Sequence, residues 1–212
     1  MFDHTQEFIQ FAIEKQVLHF GRFKTKAGRI SPYFFNAGLF NDGMSLMKLG
    51  EFYAAAIVKS GVQFDMLFGA AYKGIPLVSS IAIAFAKNGR NVPYAFNRKE
   101  TKDHGEGGAI IGAPLKGKVL IIDDVISAGT SVRESVDLIG ANGATPCGVA
   151  IALDRQEHGL GALSAVQEVE KTNNIPVCSI ANLESLIAYL QNQPDMAHNL
   201  LNIEEYRKKY GS

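Results

Sequence analysis

Apolar residues recur at helical spacing through the first stretch, at Phe8, Ile9, Ala12, Ile13 and Val17, which predicts an amphipathic helix over about 3–18. The stretch from Phe20 to Asn36 breaks that period. It mixes basic residues with Gly28 and Pro32 and alternates near Tyr33-Phe34-Phe35, a pattern of short strands and turns. A helix is predicted over 45–59 with Ser45 as its N-cap. Short apolar strands then alternate with amphipathic helices. Strands are predicted over 64–68, 92–96, 118–122, 145–153 and 176–180, and helices over 75–88 and 131–142, the latter ended by Gly143. Asn182 caps the apolar stripe Leu183, Leu186, Ile187 and Leu190, and a last helical stretch ends near Tyr210. The polar segment 97–108 reads as a loop. This alternation predicts an α/β fold with a mainly parallel central sheet flanked by helices, in a single domain over 1–212. In such sheets ligands bind beyond the carboxyl ends of the strands, where the segments 69–74, 97–108 and 123–131 fall.

Composition narrows the classes of partner. The chain is 47% hydrophobic and 20% charged, with 21 basic and 21 acidic residues, so its formal charge is zero. That balance argues against nucleic acid or a membrane surface as the main partner. No apolar run approaches the roughly 18 residues of a membrane span, and the start Met1-Phe2-Asp3-His4 lacks the basic and apolar stretches of a secretory signal. Cys147 and Cys178 sit in apolar company without metal-ligand spacing, as expected of reduced thiols in a cytoplasmic protein.

The most informative segment is Val119-Leu120-Ile121-Ile122-Asp123-Asp124-Val125-Ile126-Ser127-Ala128-Gly129-Thr130-Ser131. A buried strand delivers two adjacent carboxylates, whose repulsion is costly without a hydroxyl, cation or metal beside them. Small residues follow, allowing backbone N–H groups to close around an anion at a helix N-terminus. A sugar with free hydroxyls and a phosphate satisfies both halves. The plainer alternative, solvated aspartates with Thr130 or Ser131 as a helix cap, leaves the shared register of strand, acids and loop unexplained.

This segment resembles the PRPP-binding motif of the type I phosphoribosyltransferases. The resemblance implies that fold, with a small N-terminal hood contributed by residues 1–40. It also implies that Asp123 and Asp124 face the ribose 2- and 3-hydroxyls. The loop through Val125, Ile126, Ser127, Ala128, Gly129, Thr130 and Ser131 would hold the 5-phosphate. Gly69-Ala70-Ala71-Tyr72-Lys73-Gly74 lacks the Gly-Lys-Ser/Thr ending of a nucleotide P-loop. It is similar to the family's diphosphate loop, which implies Tyr72 and Lys73 at the diphosphate and a strained, often cis, peptide near Ala71–Tyr72.

The segment 97–108 gathers donors at its start and glycines at its far end, the division that a loop closing over a polyanion needs. Its Arg-Lys-Glu-x-Lys-Asp-His-Gly-Glu-Gly-Gly sequence resembles the catalytic loop of the orotate-using branch of the family. That implies a homodimer in which Lys99, Lys102 and His104 act in the neighbouring subunit's site, with Arg98 at the diphosphate. Lys26 and the pair Phe34-Phe35 resemble the same branch's base-binding element, with Lys26 also reaching PRPP, and Arg155 matches the arginine that meets orotate. Ser127 stands where threonine is usual and keeps the hydroxyl. Mg2+ is expected to ride mostly on PRPP, with few protein ligands. A phosphoribosyltransferase for a purine and a PRPP-sensing regulator remain as alternatives, the second disfavoured by the loop cations.

Overall fold

The computed structural model describes residues 4–25, 28–102, 108–159, 161 and 163–212, and the side chains of 99–102 and 108 lie outside that description. Helix α1, His4–Glu14, leads into an antiparallel pair, β1 (Leu18–Lys24) and β2 (Ile30–Phe35). Helix α2 follows as Gly43–Ser60, then β3 (Met66–Gly69), α3 (Gly74–Lys87), β4 (Tyr94–Lys102), β5 (Gly108–Gly112) and β6 (Lys118–Ile122). The chain continues through α4 (Thr130–Ala141), β7 (Thr145–Asp154), α5 (Ala165–Asn173), β8 (Val177–Asn182), α6 (Leu183–Gln191) and α7 (Ala197–Tyr210).

Six strands form the central sheet in the order β5-β4-β3-β6-β7-β8, parallel except for the β4–β5 hairpin at one edge. The alternation along β6 shows how both faces are covered. Leu120 and Ile122 enter the core beneath α1, α2, α3 and α6, whereas Val119 and Ile121 enter the core beneath α4 and α5. All four are fully buried, which explains the unbroken apolar run. Strand order runs outward in both directions from the β3/β6 neighbours. Their carboxyl ends therefore flank the point where the order reverses, the usual ligand crevice of such sheets.

Three expectations change. Helix α2 starts at Gly43, capped by Asp42, whose Oδ1 accepts from the Ser45 N–H at 2.8 Å; Ser45 donates its hydroxyl to the same carboxylate. Strand β4 runs on to Lys102 and pairs with β5, so the polar segment is partly a hairpin. Beyond Phe96 the strand pairs with β5 alone, so the other side of its backbone ladder faces away from the sheet and such polarity is tolerated. The start of α4 has neither Thr130 nor Ser131 as its cap: Gly129 holds that place with φ of 66° and no side-chain bond.

Candidate active site

The β3 and β6 ends meet through two glycines. A Cβ on Gly69 would run into the Gly74 carbonyl, and one on Gly74 would lie 2.8 Å from Gly69 carbon and 2.9 Å from Ile122 oxygen. The loop 70–73 is thus folded tightly against the end of β6. Its Ala71–Tyr72 peptide is cis, and the Ala71 N–H donates to Asn97 Oδ1 on β4 at 2.8 Å. This geometry brings Lys73 Nζ to Asp124 Oδ2 at 2.5 Å, across 51 residues of sequence.

The acid pair is buried, Asp123 at 7% and Asp124 at 4% exposure. Asp123 Oδ2 accepts from Ser131 Oγ at 2.6 Å, its Oδ1 accepts the Asp124 N–H, and Tyr53 donates to its carbonyl at 2.7 Å. Burial pushes the Asp123 carboxyl up to about 6; the Ser131 bond opposes that shift and the Asp124 charge adds to it. Asp124 Oδ1 accepts from the Val125 N–H, and the Asp124 carbonyl accepts from Ala152 on β7. One carboxylate is therefore matched by a cation and the other by a hydroxyl.

Ser127, Ala128 and Thr130 are exposed at the mouth of the loop, while Gly129 is buried. Helices α2, α5 and α6 carry side-chain caps from Asp42, Ser164 and Asn182, but α3 and α4, which begin at the site, carry none. At α3 the Gly74 and Ile75 N–H groups turn back to the Ala70 and Tyr72 carbonyls at 2.8 and 3.2 Å, and Pro76 has no N–H. It is therefore the start of α4 whose N–H groups and positive dipole end can meet an anion. Arg133 braces this loop by donating to Ala128 oxygen at 3.1 Å and Thr130 Oγ1 at 3.2 Å.

The β1–β2 pair divides the two phenylalanines. Phe35 is buried with its ring 6.2 Å from Phe8, whereas Phe34 is 45% exposed and lies beside Phe23 at 5.6 Å. Arg155, just beyond β7, is largely enclosed rather than on the surface. Its Nε and Nη2 meet Glu157 Oε1 at 2.8 and 2.6 Å, Nη2 also donates to Ser31 Oγ at 2.8 Å, and its guanidinium lies 4.1 Å from the Tyr33 ring centre. Lys26 and His104 lie outside the described residues, as do the side chains of Lys99 and Lys102 on β4. The partners Asn97, Ser31 and Tyr53 carried no local sequence signal, because they act across 26, 124 and 70 positions through contacts that only folding creates. Arg133 and Glu157 instead answer residues two to five positions away.

A strand-end acid pair, an uncapped small-residue loop and a lysine loop meet at the reversal point, an arrangement with the chemistry to hold hydroxyls and anionic groups side by side. The phosphoribosyl transferase domain model matches residues 38–177, and the chain belongs to that family. Among its relatives, orotate phosphoribosyltransferase of Nitrosospira multiformis is 68% identical over 212 residues, covering 100% of this chain and 93% of that protein. The enzyme of the same name from Chromobacterium violaceum is 64% identical over 211 residues, covering 100% and 99%. The solved structure of the Francisella tularensis orotate phosphoribosyltransferase matches with a TM-score of 0.88 at 45% identity, over 97% of this chain and 100% of that one. Within the family, this chain stands with the orotate phosphoribosyltransferases.

Proposed function

We propose that the protein transfers the 5-phosphoribosyl group of PRPP to orotate, giving orotidine 5-monophosphate and pyrophosphate, as a step of pyrimidine nucleotide synthesis. The observation that carries the reading is the buried Asp123–Asp124 pair with Lys73 drawn onto it from the facing loop. In the reaction an orotate ring nitrogen forms a bond to C1 of the ribose. The bond from C1 to the diphosphate oxygen breaks, and its electron pair leaves with pyrophosphate. Orotate is already an anion, so the demanding event is the growth of positive charge on the sugar and negative charge on the leaving group.

Asp123 and Asp124 hold the ribose hydroxyls and stabilise the positive charge. Residues 125–131 and the start of α4 hold the 5-phosphate. Tyr72, Lys73 and Arg98 meet the diphosphate, joined by Lys99, Lys102 and His104 from the neighbouring subunit of a homodimer. Phe34 offers the ring face for the flat base, Phe35 anchors that strand, Lys26 and Ser127 reach the base edge, and Arg155 meets its carboxylate. Residues 1–40 thereby act as the base-binding hood of one domain over 1–212.

The donors suit Mg2+ carried by PRPP, since two carboxylates beside a diphosphate offer oxygen ligands. When bound, Mg2+ would supply charge neutralisation at the diphosphate. No helix among the described residues is long and apolar enough to cross a membrane. A cytoplasmic location fits that synthetic role and the free thiols of Cys147 and Cys178. Pyrophosphate release measured with PRPP and orotate, adenine or hypoxanthine, with and without Mg2+, tests the reading. Turnover is expected with orotate alone, and turnover of a purine without orotate would overturn it.

A further inference from the structure

The guanidinium assigned above to the orotate carboxylate is held from behind by groups that the reaction itself does not need. Arg155 gives both Nε and Nη2 to one oxygen of Glu157, whose side chain is only 14% exposed. Nη2 also donates to Ser31 Oγ, and that hydroxyl donates in turn to the Tyr33 carbonyl at 2.7 Å. The Tyr33 ring supports the guanidinium plane from below. One carboxylate thus sets the in-plane rotation of the arginine, while an aromatic face sets its tilt.

Glu157 is itself fixed by the far end of the chain. Its backbone forms an antiparallel bridge with Gly211. On either side, the Ser212 N–H donates to Gln156 oxygen at 3.0 Å and the His158 N–H donates to Tyr210 oxygen at 2.9 Å. Gly211 fits because a Cβ there would stand 2.6 Å from Arg207 oxygen. Arg29 closes the cluster, donating to the His158 and Gly159 carbonyls at 2.9 and 3.4 Å with its guanidinium 5.0 Å from the Tyr210 ring centre. Residues 210–212 therefore form a strut against 156–158, outside the elements that make up the PRPP site.

We propose that Glu157 is a positioning residue for base recognition, orienting Arg155 toward the orotate carboxylate, with the Gly211–Ser212 strut holding Glu157 in register. This rests on the reading that Arg155 meets orotate. With Nε and Nη2 committed to Glu157 and Ser31, the contact to the carboxylate falls to Nη1, and a guanidinium free to rotate would lose that aim while leaving the PRPP site intact. The effect therefore falls on orotate alone.

Steady-state kinetics with both substrates varied separate these roles. Glu157→Ala is expected to raise KM for orotate roughly tenfold, the worth of one charge-assisted hydrogen bond, with KM for PRPP nearly unchanged. Glu157→Gln keeps an acceptor for Arg155 and should recover most of that loss. Gly211→Val, which acts on the strut rather than on the guanidinium, should move KM for orotate in the same direction by about threefold. In an Arg155→Ala background, Glu157→Ala should add nothing further. An equal rise in KM for PRPP, or no change for orotate in either Glu157→Ala or Gly211→Val, overturns the proposal. Arg155→Ala without effect on orotate would instead sink the base-pocket reading, and this inference with it.

Discussion

Asp123→Asn should make the ligand-free protein more stable at neutral pH while removing most of its turnover. The carboxyl is buried at 7% exposure, faces Ser131 and Asp124, and has Lys73 only on the far side of Asp124. Burial raises it from the usual 3.8 to about 6. Below about pH 3 the group is largely protonated in folded and unfolded chains alike and contributes no difference. As pH rises toward 6 the unfolded chain ionises first, so the folded state holds the extra proton and loses stability with every increment of pH. Above 6 the full cost stands, at most about 3 kcal/mol for that span of pKa. Asparagine keeps the oxygen that accepts from the Asp124 N–H but cannot ionise. At pH 8 the variant should melt higher by up to roughly 6–12 °C, given about 2–4 °C per kcal/mol for a chain of this size, and the gain should shrink to roughly a fifth of that near pH 4. Turnover should fall roughly a hundredfold, because one charge beside the ribose is gone. Thermal unfolding of both proteins without PRPP at the two pH values checks this. A gain of equal size at both, or a less stable variant at pH 8, would refute the argument.

Lys102→Ala should lower kcat roughly a hundredfold while shifting the melting temperature little, since the cost is one contact made to the leaving diphosphate; unchanged kinetics would remove 98–108 from the reaction. Mixing Lys102→Ala with Asp124→Asn should restore activity through hybrid dimers, provided subunit exchange is verified, and no recovery would refute action in trans. Gly74→Ala should destabilise the protein by about 1–3 kcal/mol, because its methyl meets Gly69 carbon and Ile122 oxygen at 2.8 and 2.9 Å, both backbone atoms that cannot step aside. Denaturant titration would show that loss, and a neutral result would mean the loop relaxes away from β6.

Much of the donor site was legible in one segment. Val119 to Ile122 read as a strand buried on both faces because four apolar residues in a row leave no solvated side, and Asp123 and Asp124 read as site residues because nothing local could neutralise them. The helix starts were less secure. Asp42 rather than Ser45 caps α2, since either oxygen fits the local pattern and only the entry angle of the chain decides between them. Strand β5 has no clear sequence signal because Ala109-Ile110-Ile111 is short, flanked by glycines, and lies at the sheet edge paired only with β4.

Sequence alone determined the order of strands and helices apart from β5 and α5, the acid pair with its small-residue loop, and the paired aromatics whose neighbours must face opposite ways. These are consequences of side-chain periodicity and backbone sterics within a few residues. Tertiary structure decided which groups answer one another. Lys73 neutralises Asp124 across 51 positions, and Arg155 reaches Ser31 across 124. Such pairs depend on the strand order β4-β3-β6-β7 and on where 210–212 returns to the sheet, and no local pattern encodes a distance between elements that meet only when the core closes.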